Sequence, residues 1–153
     1  MDAVYVTRNT VFAATAGAKT ALKLVTPTSF NIKVHELGVS MDGVTSSAVP
    51  ATFEWGTSDE TTAGTGSGTA VTTQIKGRAQ VHGLTVTQNH SAEGTTYTIH
   101  NGIFVPQFMG VLVLQNPLGL EPESAGDAAD SFLLRINVTA NVNVLAWVKW
   151  SRA

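Results

Sequence analysis

The chain has 153 residues, 43% of them hydrophobic and only 13% charged, with a net charge of −2 and no cysteine. That length suits one domain with its own core. The charge balance leaves no basic field for nucleic acid. The lack of cysteine excludes disulfides and thiolate metal sites, and no apolar run approaches the roughly 20 residues that span a bilayer. Thr and Val together make up about a quarter of the residues, and both favour strands. So few charges fit a chain packed against neighbours, and equally a polar, neutral extracellular domain. No basic leader precedes an apolar core, so no cleavage is expected at Ala16-Gly17-Ala18, and both Met1 and Ala153 are expected to be held by contacts.

No segment holds a 3.6-residue apolar period over ten residues, so no helix is expected. Residues 1–18, "MDAVYVTRNTVFAATAGA", have strand composition but no partner within reach of a tight turn. They read as an extended arm, leaving 19–153 as the folded domain. Val4, Tyr5, Val6, Val11 and Phe12 give the arm apolar surface to bury. It would either add to a sheet edge of its own chain or, as we expect, cross to a neighbouring subunit.

Strand signals then recur. "TALKLVT" at 20–26 stops at Pro27. "FNIKVHELGVSMDG" puts Phe30, Ile32 and Val34 on one face and then changes phase to Leu37, Val39 and Met41. A slip of one residue flips the face unless a bulge absorbs it, which places a β-bulge near His35–Glu36. Ala51, Phe53 and Trp55 follow in phase with Val49, then "AVTTQIKG" at 70–77 and a weaker "VHGLTVTQ" at 81–88. In "TYTIHNGIFV" the residues Tyr97, Ile99, Ile103 and Val105 are assigned one face. "GVLVLQ" is apolar on both faces through Val111, Leu112, Val113 and Leu114, so it is a central strand or lies at a subunit interface. The segments 56–69 and 116–131 read as loops.

From Leu134 to Trp150 every even position is apolar or small, with Leu145 and Trp147 as odd-numbered exceptions. A straight strand of that length would span roughly 55 Å, too long for a small domain. A turn near Ala140–Asn141 is expected, and unbroken parity requires an odd-length connection; one strand bending between two sheets is the alternative. Trp147, out of phase, is either exposed or buried against another chain. Eight main strands with long loops predict an all-β, single β-sandwich, jelly-roll-like.

The residues that carry chemistry are sparse. His35, His82, His90 and His100 share no metal-ligand spacing. No G-x-S-x-G presents a nucleophile, and "TGSGT" at 65–69 lacks the lysine of a phosphate loop. Glu121, Glu123, Asp127 and Asp130 fall in one loop without the alternation of a calcium site. No catalytic activity, cofactor or metal is expected. Trp55, Trp147 and Trp150 would form a sugar-stacking platform only if exposed; Trp55 and Trp150 lie in the apolar phase, which assigns them to the core.

"KLVTPTSFNIKVHELGVSMDG" (23–43), "QNPLGLEPE" (115–123) and the closing "NVNVLAWVKW" resemble the head decoration (cement) proteins of tailed bacteriophages, small virion structural proteins. The likeness runs over nearly the whole chain, including "VYVTRNT". It implies a β-sandwich subunit, commonly a homotrimer, made in the host cytoplasm and seated on the major capsid protein lattice at the outer capsid surface. Leu120 departs from the pattern, standing where such proteins lead one to expect a basic residue. The rival reading is a trimeric receptor- or glycan-binding jelly roll, which requires exposed aromatic residues grouped at a loop end.

Overall fold

The computed structural model describes residues 2–42, 48–58, 64–108, 111–124 and 131–153. In chain order the strands are β1 (Val4–Arg8), β2 (Phe12–Ala14), β3 (Gly17–Val25), β4 (Ile32–Met41), β5 (Ala51–Ser58), β6 (Gly68–Thr69), β7 (Val71–Lys76), β8 (Thr85–Gln88), β9 (Tyr97–Val105), β10 (Val111–Gln115), β11 (Glu123–Ser124), β12 (Ser131–Val138) and β13 (Val142–Arg152). The front sheet runs β10-β4-β13-β1-β7, with β11 also on β4 and β2 also on β13; the back sheet runs β6-β8-β3-β12-β5-β9. Every pairing is antiparallel. No helix long and apolar enough to cross a membrane occurs among the described residues.

Eight of these strands pair as nested couples. β1 pairs with β13, β3 with β12, β4 with β10 and β5 with β9. First lies beside last, second beside seventh, and so inward: one long hairpin rolled into two sheets. That is the jelly roll, the double-sheet architecture also used by viral capsid and lectin domains. Strands β6 to β8 are an insertion that widens both sheets, β7 extending the front one beside β1 and β8 extending the back one beside β3.

Alternation explains the core. In β13, Val142, Val144, Ala146, Val148 and Trp150 are buried, while the odd positions face outward. In β12, Phe132, Leu134, Ile136 and Val138 do the same from the other sheet. The connection 139–141 is three residues long and carries the chain between the sheets, keeping the even positions of both strands turned inward. Length and parity are as the sequence predicts; the two strands face each other across the core instead of lying side by side. The predicted bulge is also present. Glu36 opposes Lys149 and Val34 opposes Trp150, so His35 is the extra residue.

The stretch expected to be a free arm takes a different course. β1 lies inside the front sheet between β13 and β7. Tyr5 is buried and stacks on Trp150, ring centroids 4.6 Å apart, and its hydroxyl donates to the Gln80 carbonyl at 3.0 Å. Trp150 Nε1 donates to Thr7 Oγ1 at 3.0 Å. Where the chain leaves β1, the fully buried Asn9 accepts from the Ala146 N–H at 2.9 Å and donates to Asn89 Oδ1 at 2.9 Å, clasping the front sheet to the back. The first strand of the jelly roll therefore begins at Val4, and the arm is part of the domain.

A second phase differs. Between Trp55 and Gly56 the β5–β9 register shifts, leaving His100 as an extra residue. Ile103 and Val105 face the core, but Tyr97 and Ile99 turn to the outer side. At the C-terminus the Ala153 N–H donates to the Asn31 carbonyl at 2.8 Å; Met1, Asp127 and Asp130 lie outside the described residues.

Candidate interaction surface

The outward side chains of the front sheet fall into rows set by its registers. Val113, Gly38, Trp147, Arg8 and Val71 lie in one row across five strands. Gln115, Glu36, Lys149, Val6 and Thr73 form the next, and Val111, Ser40 and Leu145 flank the first row on its other side. Val111 and Val113 are 66% and 47% exposed, and Val71 and Leu145 about as open as Val113. The result is a line of exposed apolar side chains across the sheet, interrupted on β1 by Arg8 and bordered by the largely polar row of Gln115, Glu36, Lys149 and Thr73.

Trp147 lies flat against this face because Gly38 opposes it; a Cβ on Gly38 would collide with the indole ring. Its Nε1 donates to Glu36 Oε1 at 3.0 Å, Lys149 Nζ sits 2.8 Å from the same oxygen, and Gln115 Nε2 donates to Glu36 Oε2 at 3.3 Å. Burial opposes ionisation of Glu36, but hydrogen bonds from Lys149, Trp147 and Gln115, with the Lys149 charge, outweigh it and hold the carboxyl below its usual range. The Glu36–Lys149 pair in the middle of the face is thus satisfied within the chain.

The predicted interface residues divide by parity. Val4, Val6, Val111, Val113 and Trp147 are brought together on the outer face of the front sheet, and Val11 stands exposed at its end, beside Leu145. Tyr5 is in the core, and Phe12, Leu112 and Leu114 pack partly buried against it. Sequence reading missed Val71, Leu145 and the loop leucines described next. Leu145 had a signal, since it breaks the alternation of β13 just as Trp147 does.

The free edge of β10 continues the apolar surface. Beyond Gln115 the chain leaves β4 for residues 116–122 and returns as β11, opposite Lys33 and Ile32. At the tip the Leu120 N–H donates to the Pro117 carbonyl at 3.0 Å, and Gly119 has φ +83°, the geometry of a type II turn. This turn exposes Leu118 and Leu120 to 91% and 76%. Both feet of the loop are fixed: Asn116 N–H and Nδ2 donate to the carbonyls of His35 and Val34 at 2.8 and 2.9 Å, and the Val34 N–H donates to the Pro122 carbonyl at 3.0 Å. Hydrogen bonds from its own backbone N–H and from that of Gly119 hold the Glu121 carboxyl below its usual range.

Glu121 belongs to a set that resembles a hydrolase triad. His35 Nε2 lies 2.8 Å from Ser151 Oγ, and His35 Nδ1 lies 3.6 Å from Glu121 Oε1. Ser151, however, is 6% exposed and sits near the end of β13, paired on both sides to Val4 and Lys33. A substrate carbonyl has no approach to that oxygen, and both neighbouring strands use their backbone groups in the ladder. What the set does is pin the bulged His35 between the strand and the loop. Among the described residues no three His, Asp or Glu side chains are placed to hold a metal ion.

The chain matches no protein-family profile and no curated protein sequence. Among solved structures it is similar to VP2 of infectious bursal disease virus in a subviral particle, with 10% identity and a TM-score of 0.21 over 97% of this chain and 41% of that one. The T13 particle of the same virus gives 12% identity and a TM-score of 0.19, covering 98% and 39%. This chain spans about two-fifths of the length of those proteins, and likeness at that score carries no argument about function.

Proposed function

We propose that this chain is a virion structural protein that decorates and stabilises the outer surface of a tailed-phage capsid, as a homotrimer held on the major capsid protein lattice by protein–protein contacts. The observation that carries this reading is the set of exposed apolar side chains on the front face, Val71, Leu145, Val111 and Val113, joined by Leu118 and Leu120 in the loop beyond β10. Exposed apolar side chains grouped on one face and rimmed by polar ones suit a site of association. A jelly roll offering them, with Glu36 and Lys149 already paired to each other, suits a building block better than a catalyst. A subunit that binds only the assembled shell stabilises it by mass action, repeated over every site. The sequence resemblance to decoration proteins points the same way.

One feature favours the receptor- or glycan-binding reading. Phe104 and Phe108 are 73% and 61% exposed, and Gln107 between them donates to the Val49 carbonyl, bringing a third exposed apolar residue to the same loop end. Quantitative mass spectrometry of particles from the virus encoding this chain separates the two. Decoration predicts a copy number that is a simple fraction of the major capsid protein, and shells lacking the chain that assemble but disrupt at lower temperature. A handful of copies per particle, with unchanged shell stability, would favour the receptor-binding head.

A further inference from the structure

The loop tip and the front face carry complementary features set apart on one copy. The tip offers two leucines on a turn whose feet are hydrogen-bonded to β4, so little ordering is required when it docks. It leaves the sheet beside His35. The front face has a depression of about 200 Å³ lined by Val6, Arg8, Ser40, Leu145 and Trp147. The turn projects from the β10–β11 edge of the sheet at the His35 end of β4, whereas the depression lies across β4, β13 and β1 and extends to Ser40, five residues from His35 and roughly 17 Å along β4 at the rise of a strand. Charge matches as well. Glu123 is half exposed three residues from Leu120, 3.6 Å from Lys33, whereas Arg8 at the depression is exposed and pairs with no acid among the described residues.

We infer that the Leu118–Leu120 turn of one copy inserts into the Leu145–Trp147 depression of the next, with Glu123 approaching Arg8 across the contact. The occupant of the depression is a second copy of this chain. Tip and depression are different patches, so the contact is head-to-tail and not self-complementary; repeated, it closes into a ring when the rotation between copies closes. The homotrimer of the proposed function would be such a ring, and the inference rests on the self-association part of that reading.

The absence of cysteine from the chain allows a direct test. Full-length Leu118→Cys and Leu145→Cys proteins are prepared separately, mixed, oxidised and run without reductant. The expected result is a cross-linked dimer in the mixture and none in either protein alone, and a covalent ring of fixed size from the double variant. Cross-linking of Leu118→Cys protein to itself would overturn the inference in favour of a two-fold contact; no cross-link in any mixture, with a monomer by light scattering, would overturn self-association through the tip. A Leu118→Ser/Leu120→Ser variant, altered only at exposed positions, should keep its melting temperature and lose the ring. Copy number on virus particles is read independently, so failure of the ring and failure of the decoration reading are distinguishable.

Discussion

The two outer faces of the sandwich are treated differently by the same chain. Over the back sheet, residues that follow β8 fold across the strands. Glu93 accepts from the Thr20 N–H at 2.7 Å, from Thr20 Oγ1 at 2.6 Å and from the Tyr97 hydroxyl at 3.1 Å, and Arg135 stacks its guanidinium 4.4 Å from the Tyr97 ring centre. On the same face Leu133, an outward residue of β12 two positions before Arg135, has no exposure at all. Among the described residues nothing comparable lies over the front sheet, where Val113, Leu145 and Val71 are exposed and Trp147 partly so. The cover is confined to the β3–β12 part of the back face, since Ile99 and Phe104 stay exposed on β9, and the wider opening of the front face suits the partner contact proposed above. Four perturbations would break or sharpen this contrast.

The largest effect is expected from deleting residues 2–12. If the front face were carried by a detachable arm, the remainder would keep its β-rich circular dichroism. The structure predicts loss of the folded signal, because β1 is flanked on both sides and brings Tyr5, Thr7 and Asn9 into the interior. A truncated chain that melts cooperatively near the wild-type temperature would contradict that placement.

Next comes the covered face. Glu93→Ala strips the hub from Thr20 and Tyr97 and leaves Arg135, whose side chain is 15% exposed, without its carboxylate. A loss of about 2–3 kcal/mol is expected in urea unfolding, and a loss below about 0.5 kcal/mol would mean the cover is ornamental.

The front-face cluster should matter less. Glu36→Gln keeps an acceptor for Trp147 but removes the charge that pairs with Lys149, for about 1 kcal/mol in a partly exposed pair. The folded pKa of Glu36 is lowered, so its stabilising contribution is complete above the unfolded carboxylate value of about 4.3. That contribution is lost as pH falls through the lowered folded value. The wild-type advantage over the glutamine variant should therefore be full at pH 7 and shrink below about pH 4; an advantage that grows on acidification would contradict the assignment.

Smallest for the isolated chain is Val111→Thr with Val113→Thr. Both residues are exposed and both replacements keep β-branching, so stability should stay within about 0.5 kcal/mol, while occupancy on virus particles falls at least tenfold. Full occupancy would show that the β10 edge touches nothing in the assembly.

The sequence made this architecture legible wherever the cause was local. The three-residue link at 139–141 follows from parity counted along one run, and the bulge at His35 from a change of phase within one strand. The first strand was hidden because its partner β13 lies some 140 residues away, and periodicity carries no information about distant pairing. The alternation Val4, Tyr5, Val6 looked like an arm because every residue is apolar; only the ladder decides that Tyr5 turns inward. The same limit applies to Val111–Leu114, where alternate residues serve core and surface. Tyr97 and Ile99 were assigned the wrong side because a bulge at His100 leaves no mark in a polar stretch. Leu145 and Trp147 were visible as breaks in the alternation, but that Gly38 makes the bed for Trp147 required the register between strands. Leu118 and Leu120 stood in a loop rich in proline and acid, and only the turn geometry shows that they project.

Hydrogen–deuterium exchange on the free chain and on the same chain assembled on virus particles tests the central claim most directly. The account predicts that assembly slows exchange along the β10 edge and in the 116–120 loop, while peptides from β12 and from residues 89–97 over the back sheet exchange alike in both states. Protection confined to the back sheet, with the β10 edge and its loop unchanged, would contradict it.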